Sequence, residues 1–225
     1  LRQSDFSLDG KRNGAPWLGM KISEISALDR VLIIGSFLRK DHPLIAQRLR
    51  QSAKRGTQVS VLHSTDDNLL LKLFARAIAA PSQLPGLLAQ VVKSAAEQKG
   101  VAVDASVAGV SVNPVAQQIA ASLLSGTNGA IFLGNFAQQH AQAATLHALT
   151  QQLASITGAR FGYLGEAANS VGAYIANAVP TGDGLNAAQM LATQLKGYLL
   201  LHAEPELDCA NPQQAVASLK QAATV

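Results

Sequence analysis

Cysteine occurs once in the 225 residues, at Cys209. A single thiol excludes an internal disulfide framework and any multi-cysteine zinc or iron–sulfur site, and a reducing, cytoplasmic setting is the expectation. Aromatic residues make up only 4%, so a core has to be packed from Ala, Leu, Val and Ile. No apolar run approaches the roughly 20 residues a membrane span needs. The opening LRQSDFSLDGKRNG has no apolar signal-peptide core and no initiating Met, and we read the chain as a piece of a longer protein. Several functional motifs are also missing. There is no GxGxxG, no GxxxxGK[ST], no GxSxG and no HExxH, which removes the usual dinucleotide, P-loop, serine-hydrolase and zinc-protease signatures.

Charged residues are scarce at 14%, against 48% hydrophobic, a globular balance. The net charge of +4 hides an asymmetry. Fifteen of the 18 Lys and Arg lie at or before Lys99, against eight of the 14 acids. No basic run is interleaved with aromatics, so a nucleic-acid surface is not expected. A solvated face or contact with an acidic partner subunit is the simpler reading.

Against these absences stands one well-formed stretch, VLIIGSFLRKDHPLIAQRLR (residues 31–50). Four apolar residues run into Gly35, as a strand buried on both faces does. Gly35 and Ser36 provide a turn, Asp41 can cap, and Pro43 suits a first helical turn. Leu44, Ile45, Leu49 and Ala53 recur at helical spacing, Gly56 closes the helix, and QVSVL (58–62) is the next strand. This is a βαβ unit, with parallel strands and a right-handed crossover expected. The unit recurs from Ala130 to Leu164, and a third, partial copy starts at Gly197, with His202 where the first two copies carry glycine.

The fold class expected is α/β, with Rossmann-like parallel sheets flanked by helices in two lobes. Residues 1–30 are expected to form an extended arm, 31–110 a first lobe and 111–225 a second, with Val101–Val112 crossing between them. Further helices are expected over Asp67–Ala80, Leu84–Gln98, Asn113–Leu124, Asn169–Asn177, Ala187–Leu195 and Pro212–Ala223, and a buried strand over Tyr198–Leu201.

Ligands in such sheets bind at turns following the carboxyl ends of strands. Those turns hold Gly35–Ser36–Phe37, His63–Ser64–Thr65–Asp66, Gly134–Asn135–Phe136, Gly165–Glu166 and His202–Ala203–Glu204. Arg39 and Lys40 beside Gly35 could hold an anion, though Gly35 is more simply a tight turn. His42, His63, His140, His147 and His202 show no metal-ligand spacing. Cys209 has acidic Asp208 beside it and no base, so it is expected to be inert. Glu204, Glu206 and Asp208 are more simply a solvated loop than a cation site. No catalytic constellation assembles.

The stretches VLIIGSFLRKDHPLIAQRLRQSAKRGTQVSVL, GNFAQQH, GEAANSVGAYIA and YLLLHAEPELD, with LRQSDF and APWLGM, resemble the large iron–sulfur subunit of bacterial respiratory NADH:quinone oxidoreductase, complex I. The matching part is its carboxyl-terminal region, which is similar to the molybdopterin oxidoreductase family of formate dehydrogenase and DMSO reductase. The resemblance implies a non-catalytic scaffold, with no catalytic residue, metal or cofactor here. It places the iron–sulfur clusters in a missing amino-terminal part. The implied partners are the rest of the subunit and other peripheral-arm subunits, with no membrane insertion, at the cytoplasmic side of the bacterial inner membrane. Two rivals remain, the cofactor-binding lobes of a molybdopterin-dependent oxidoreductase and a stand-alone dinucleotide binder. The family's usual turns, Gly–small–Asn–Pro and Asp–Pro–Arg, are here Gly35–Ser36–Phe37–Leu38 and His63–Ser64–Thr65. The resemblance therefore implies a cleft that has lost its cofactor, with Gly35, Ser36, His63, Gly134, Asn135, Glu166 and His202 as its vestigial residues.

Overall fold

A computed structural model describes residues 3–8 and 14–225. Its centre is a five-stranded sheet of β1 (Arg30–Ile34), β2 (Gln58–His63), β3 (Ala75–Ile78), β4 (Gly129–Leu133) and β5 (Arg160–Tyr163), in the order β3-β2-β1-β4-β5. Every pairing is parallel. The apolar run of β1 behaves as a doubly covered strand should, with Val31 to Ile34 each at most 1% exposed. Leu32 and Ile34 point into a core built with the helices Leu84–Lys99, Pro114–Leu124 and Ala143–Thr157. Val31 and Ile33 point into the opposite core, with Ile25, Leu38, Leu49 and Leu69. The helix Pro43–Ala53 lies on that second face, as the right-handed crossover from β1 to β2 requires.

The α/β class holds, with corrections to three expected elements. Asp67–Ala80 is not a helix. An irregular loop leads into β3, which pairs with β2 from Ser60↔Ala75 to His63↔Ile78. Leu69, Leu71 and Leu73 pack on the second core, a period-two pattern that helix-oriented reading missed. The expected break near residue 110 does not divide two sheets, because β4 pairs directly with β1 from Arg30↔Gly129 to Ile34↔Leu133. The Val101–Val112 segment instead carries a short helix, Ala105–Ala108, that buries Val107 against the first core. Finally, Tyr198–Leu201 is not a buried strand. Only an isolated parallel bridge, Gly197↔Thr224, forms there, and Leu199 is 96% exposed.

The described part of the amino-terminal arm guards a sheet edge. The carbonyl of Trp17 accepts a hydrogen bond from the Tyr163 amide at 2.8 Å. Leu18 and Gly19 press so closely on Phe161 and Gly162 that a β-carbon at either glycine would meet backbone. Arg160 of β5 pairs with Glu24 at 2.9 Å. These contacts cover an edge that would otherwise offer unpaired backbone groups to another chain. Residues 1–2 and 9–13 of the expected arm lie outside the described residues.

Candidate functional site at the carboxyl edge of the sheet

The strand order reverses at β1. The chain runs outward through β2 and β3 on one side, then returns to place β4 on the other. The crevice between the turns after β1 and β4 is the position where doubly wound sheets hold ligands. Gly35 and Ser36 follow β1, and Gly134 and Asn135 follow β4.

These turns interlock. The Gly134 amide donates to Ile34 O at 2.8 Å, and the Ala137 amide donates to Gly35 O at 3.2 Å. Gly35 has a left-handed φ of +58°, and a β-carbon on it would lie 2.7 Å from Ala137 N. A β-carbon on Gly134 would overlap the Ser36 β-carbon and sit 2.6 Å from its α-carbon. The packing of one turn into the other is enough to require glycine at both positions.

Side chains close what the backbone leaves. Phe37 and the His63 ring meet edge to face at a centroid distance of 4.7 Å, Phe136 meets His63 the same way at 5.3 Å, and the two phenyl rings lie 6.3 Å apart, so the three form one cluster. His63 is 1% and Ser36 2% exposed. Neither ring nitrogen of His63 has a hydrogen-bond partner, nor has the Ser36 hydroxyl. Burial pushes the His63 pKa below its ordinary value, against the opposing pull of Asp67 and Asp41, so the ring is held neutral. Beside Ser36, His63 and Asp67 only about 10 Å³ of cavity remains.

More links cross above the crevice. His42 Nε2 lies 2.8 Å from Gly165 O. Asn135 Nδ2 donates to Asp41 at 3.4 Å, and Gln138 Nε2 donates to both Leu133 O and Leu164 O. Gln139 donates to Glu166 at 2.5 Å.

Gly35, Ser36, His63, Gly134 and Asn135 are therefore gathered at one edge, with Glu166 at its rim beyond β5. His202 is not with them. It sits on an exposed turn outside the sheet and shares none of the contacts joining the others. Arg39 donates to Asn68 O, and Lys40 Nζ lies 5.7 Å from the Phe37 ring centre, so this basic pair braces the turn. Phe136 is the residue that sequence reasoning missed as a closing element. Its signal was the matching Gly–small–Phe in both copies, Gly35–Ser36–Phe37 and Gly134–Asn135–Phe136.

The model of the molybdopterin oxidoreductase family matches residues 2–225. The chain belongs to that family. No curated protein matches. Among solved structures, the chain is similar to a chain of the formyltransferase/hydrolase complex of Methylorubrum extorquens, solved with methylofuran. The identity is 17% and the TM-score 0.46, over 71% of this chain and 42% of that one, so this chain spans less than half the length of the chain it matches. The family name implies a pterin cofactor, and the crevice of this sheet does not fit one. A dinucleotide's phosphates need open backbone amides at the glycine turn. Here the turn after β4 and the Phe37–His63–Phe136 cluster take that space. Among the described residues, no group of three or more His, Cys, Asp or Glu is arranged to hold a metal ion.

Proposed function

We propose that this molybdopterin oxidoreductase family chain is a non-catalytic α/β scaffold in the large iron–sulfur subunit of a bacterial respiratory NADH:quinone oxidoreductase. It would serve within the peripheral arm that carries electrons from NADH to quinone. The observation behind this reading is the interlocked crevice, in which Ser36 and Gly134 touch where a cofactor would enter. The matched stretches described above supply the choice of oxidoreductase. Its partners would be the rest of that subunit and its neighbours at the cytoplasmic face of the inner membrane. No helix among the described residues is long and apolar enough to cross a membrane, which accords with a peripheral position. The basic excess before Lys99 suits contact with an acidic neighbour.

The alternative is a cofactor-binding lobe of a molybdenum enzyme. The unpartnered Ser36 hydroxyl and Asn135 carbonyl oxygen at the two turns favour it, since buried polar atoms normally find partners. Calorimetric titration with guanine and adenine nucleotides, with molybdenum analysis of the full natural protein, separates the two. The scaffold reading expects no saturable binding and no molybdenum. Micromolar nucleotide binding or stoichiometric molybdenum overturns it. Loss of peripheral-arm assembly when this region is deleted is the positive expectation.

A further inference from the structure

The amino edge of the sheet lies opposite the crevice. There the 3-10 helix Ile22–Ala27 leads into β1 and the helix Pro43–Ala53 leads into β2. The two pack together, with Ile25 and Leu49 buried in the same core. The outward stripe of the longer helix runs through Leu44, Arg48 and Gln51 and continues into the following turn at Arg55. These positions are spaced four, three and four residues apart, which keeps them on one side of a helix.

Both arginines of the stripe reach the same residue. Arg48 Nη1 lies 3.5 Å from the Ser26 hydroxyl, and Arg55 Nη2 donates to the Ser26 carbonyl at 3.1 Å and to Ser52 Oγ at 3.3 Å. Ser52 Oγ donates to the same Ser26 carbonyl at 3.3 Å. Two exposed guanidinium groups are thus held at one point, with Lys54 exposed beside them. None of the three pairs with a carboxylate among the described residues. The helix itself contains no acid. Of the acids flanking Ser26, Glu24 holds Arg160 at 2.9 Å, and Asp29 accepts the amides of Thr127 and Asn128. Like charges gathered on a free helix face repel. The helix dipole offsets this only within the last turn, which includes Arg50 and not Arg48. A guanidinium already fixed in place loses little freedom on meeting a carboxylate, which it can grip through two parallel hydrogen bonds.

We propose that Arg48, Lys54 and Arg55, ordered on Ser26, form the docking surface for an acidic protein partner. Its Asp or Glu side chains pair with the two arginines, while Leu44, 78% exposed, takes an apolar contact at one end of the stripe. This gives the partner contact proposed above a place, and it rests on that reading only in assuming that the protein works within an assembly. A nucleic acid is disfavoured because the stripe holds no aromatic residue on which bases could stack. A membrane surface is disfavoured because Arg48, Lys54 and Arg55 fall short of the roughly four to eight cations that such contacts use.

The test uses the full natural protein in the assembly purified from its own cells. Arg48→Lys with Arg55→Lys keeps the charge and puts amines at both positions, which carbodiimide joins directly to carboxylates in contact. Amide links from positions 48 and 55 to Asp or Glu residues of another protein are expected, mapped by mass spectrometry. Arg48→Glu with Arg55→Glu should cut retention in the assembly about tenfold or more at physiological ionic strength. The urea midpoint of the isolated protein should be little changed, because both side chains are exposed. Links only within the same polypeptide or to a second copy overturn the inference. So does an absence of links with retention intact, or a charge reversal that instead abolishes binding to RNA or to phosphatidylglycerol vesicles. Links to an acidic partner outside any NADH:quinone oxidoreductase would leave this surface standing and overturn the function proposed above. An assembled oxidoreductase without such links would do the opposite.

Discussion

Gly134 has an ordinary φ of −85°, so any cost of a side chain there is steric. Gly134→Ala drives a methyl group into Ser36 and the Gly35 carbonyl, both backbone-anchored and unable to swing away. A loss of about 1–3 kcal/mol is expected from overpacking, read as a lower urea midpoint with an unchanged slope. A turn that kept an open crevice for a ligand would accept this alanine at little cost. His63 supplies a second residue-level expectation. Burial lowers its pKa from 6.5, while Asp67 and Asp41 raise it. As pH falls, the unfolded chain therefore binds the proton before the folded one does. The contribution of a neutral His63 is complete above about pH 6.5 and declines below it until the folded pKa is passed. His63→Phe should remove this part of the pH dependence, so urea midpoints at pH 7.5 and 5.5 lie closer together in the variant than in the parent. An equal gap in both would mean the ring is not the titrating group.

At the scale of elements, two apolar segments, β1 and Gly197–Leu201, carry opposite expectations despite similar composition. Leu32 sits in the middle of β1 at 0% exposure, paired on both sides through Ser60 and Ile131. Leu32→Ala should cost about 2–5 kcal/mol by lost burial and a residual cavity. Leu199→Ala, in a segment of equal apolarity, should leave the stability of residues 3–225 within about 0.5 kcal/mol, because its side chain has almost no neighbours to lose. Chemical denaturation of the two variants in parallel distinguishes the buried strand from the exposed segment.

For the molecule as a whole, the weakest boundary is the β5 edge, where Trp17 O takes the Tyr163 amide and Glu24 pairs with Arg160. Removing residues 1–20 should free this edge and uncover the Phe161 backbone. Concentration-dependent oligomers are then expected in size-exclusion chromatography. A strictly monodisperse truncated protein would show that the arm rests on the sheet without protecting it. The opposite edge, β3, needs no such strap. Arg76 on it is exposed and paired with Asp66, a charged pair on the edge that discourages strand addition.

The local signals in the chain were enough to determine β1, its turn and its crossover helix. Gly35, Pro43 and Gly56 punctuate an apolar pattern that only one supersecondary unit satisfies, and the Ala130–Leu164 copy obeys the same chemistry. The apolar alternation of Leu69, Leu71 and Leu73 was also present, but Asp66–Asp67 imitates a helix cap, and only pairing with β2 makes Ala75–Ile78 a strand. The closeness of Gly35 to Gly134 was not legible. They lie 99 residues apart, and nothing local tells a glycine that serves a ligand from one that serves a neighbouring turn. Tertiary structure brought the two together, by running β4 beside β1 so that the two turns meet. It also left Leu199 and Leu201 bare, because a strand is buried by its neighbours and not by its own composition.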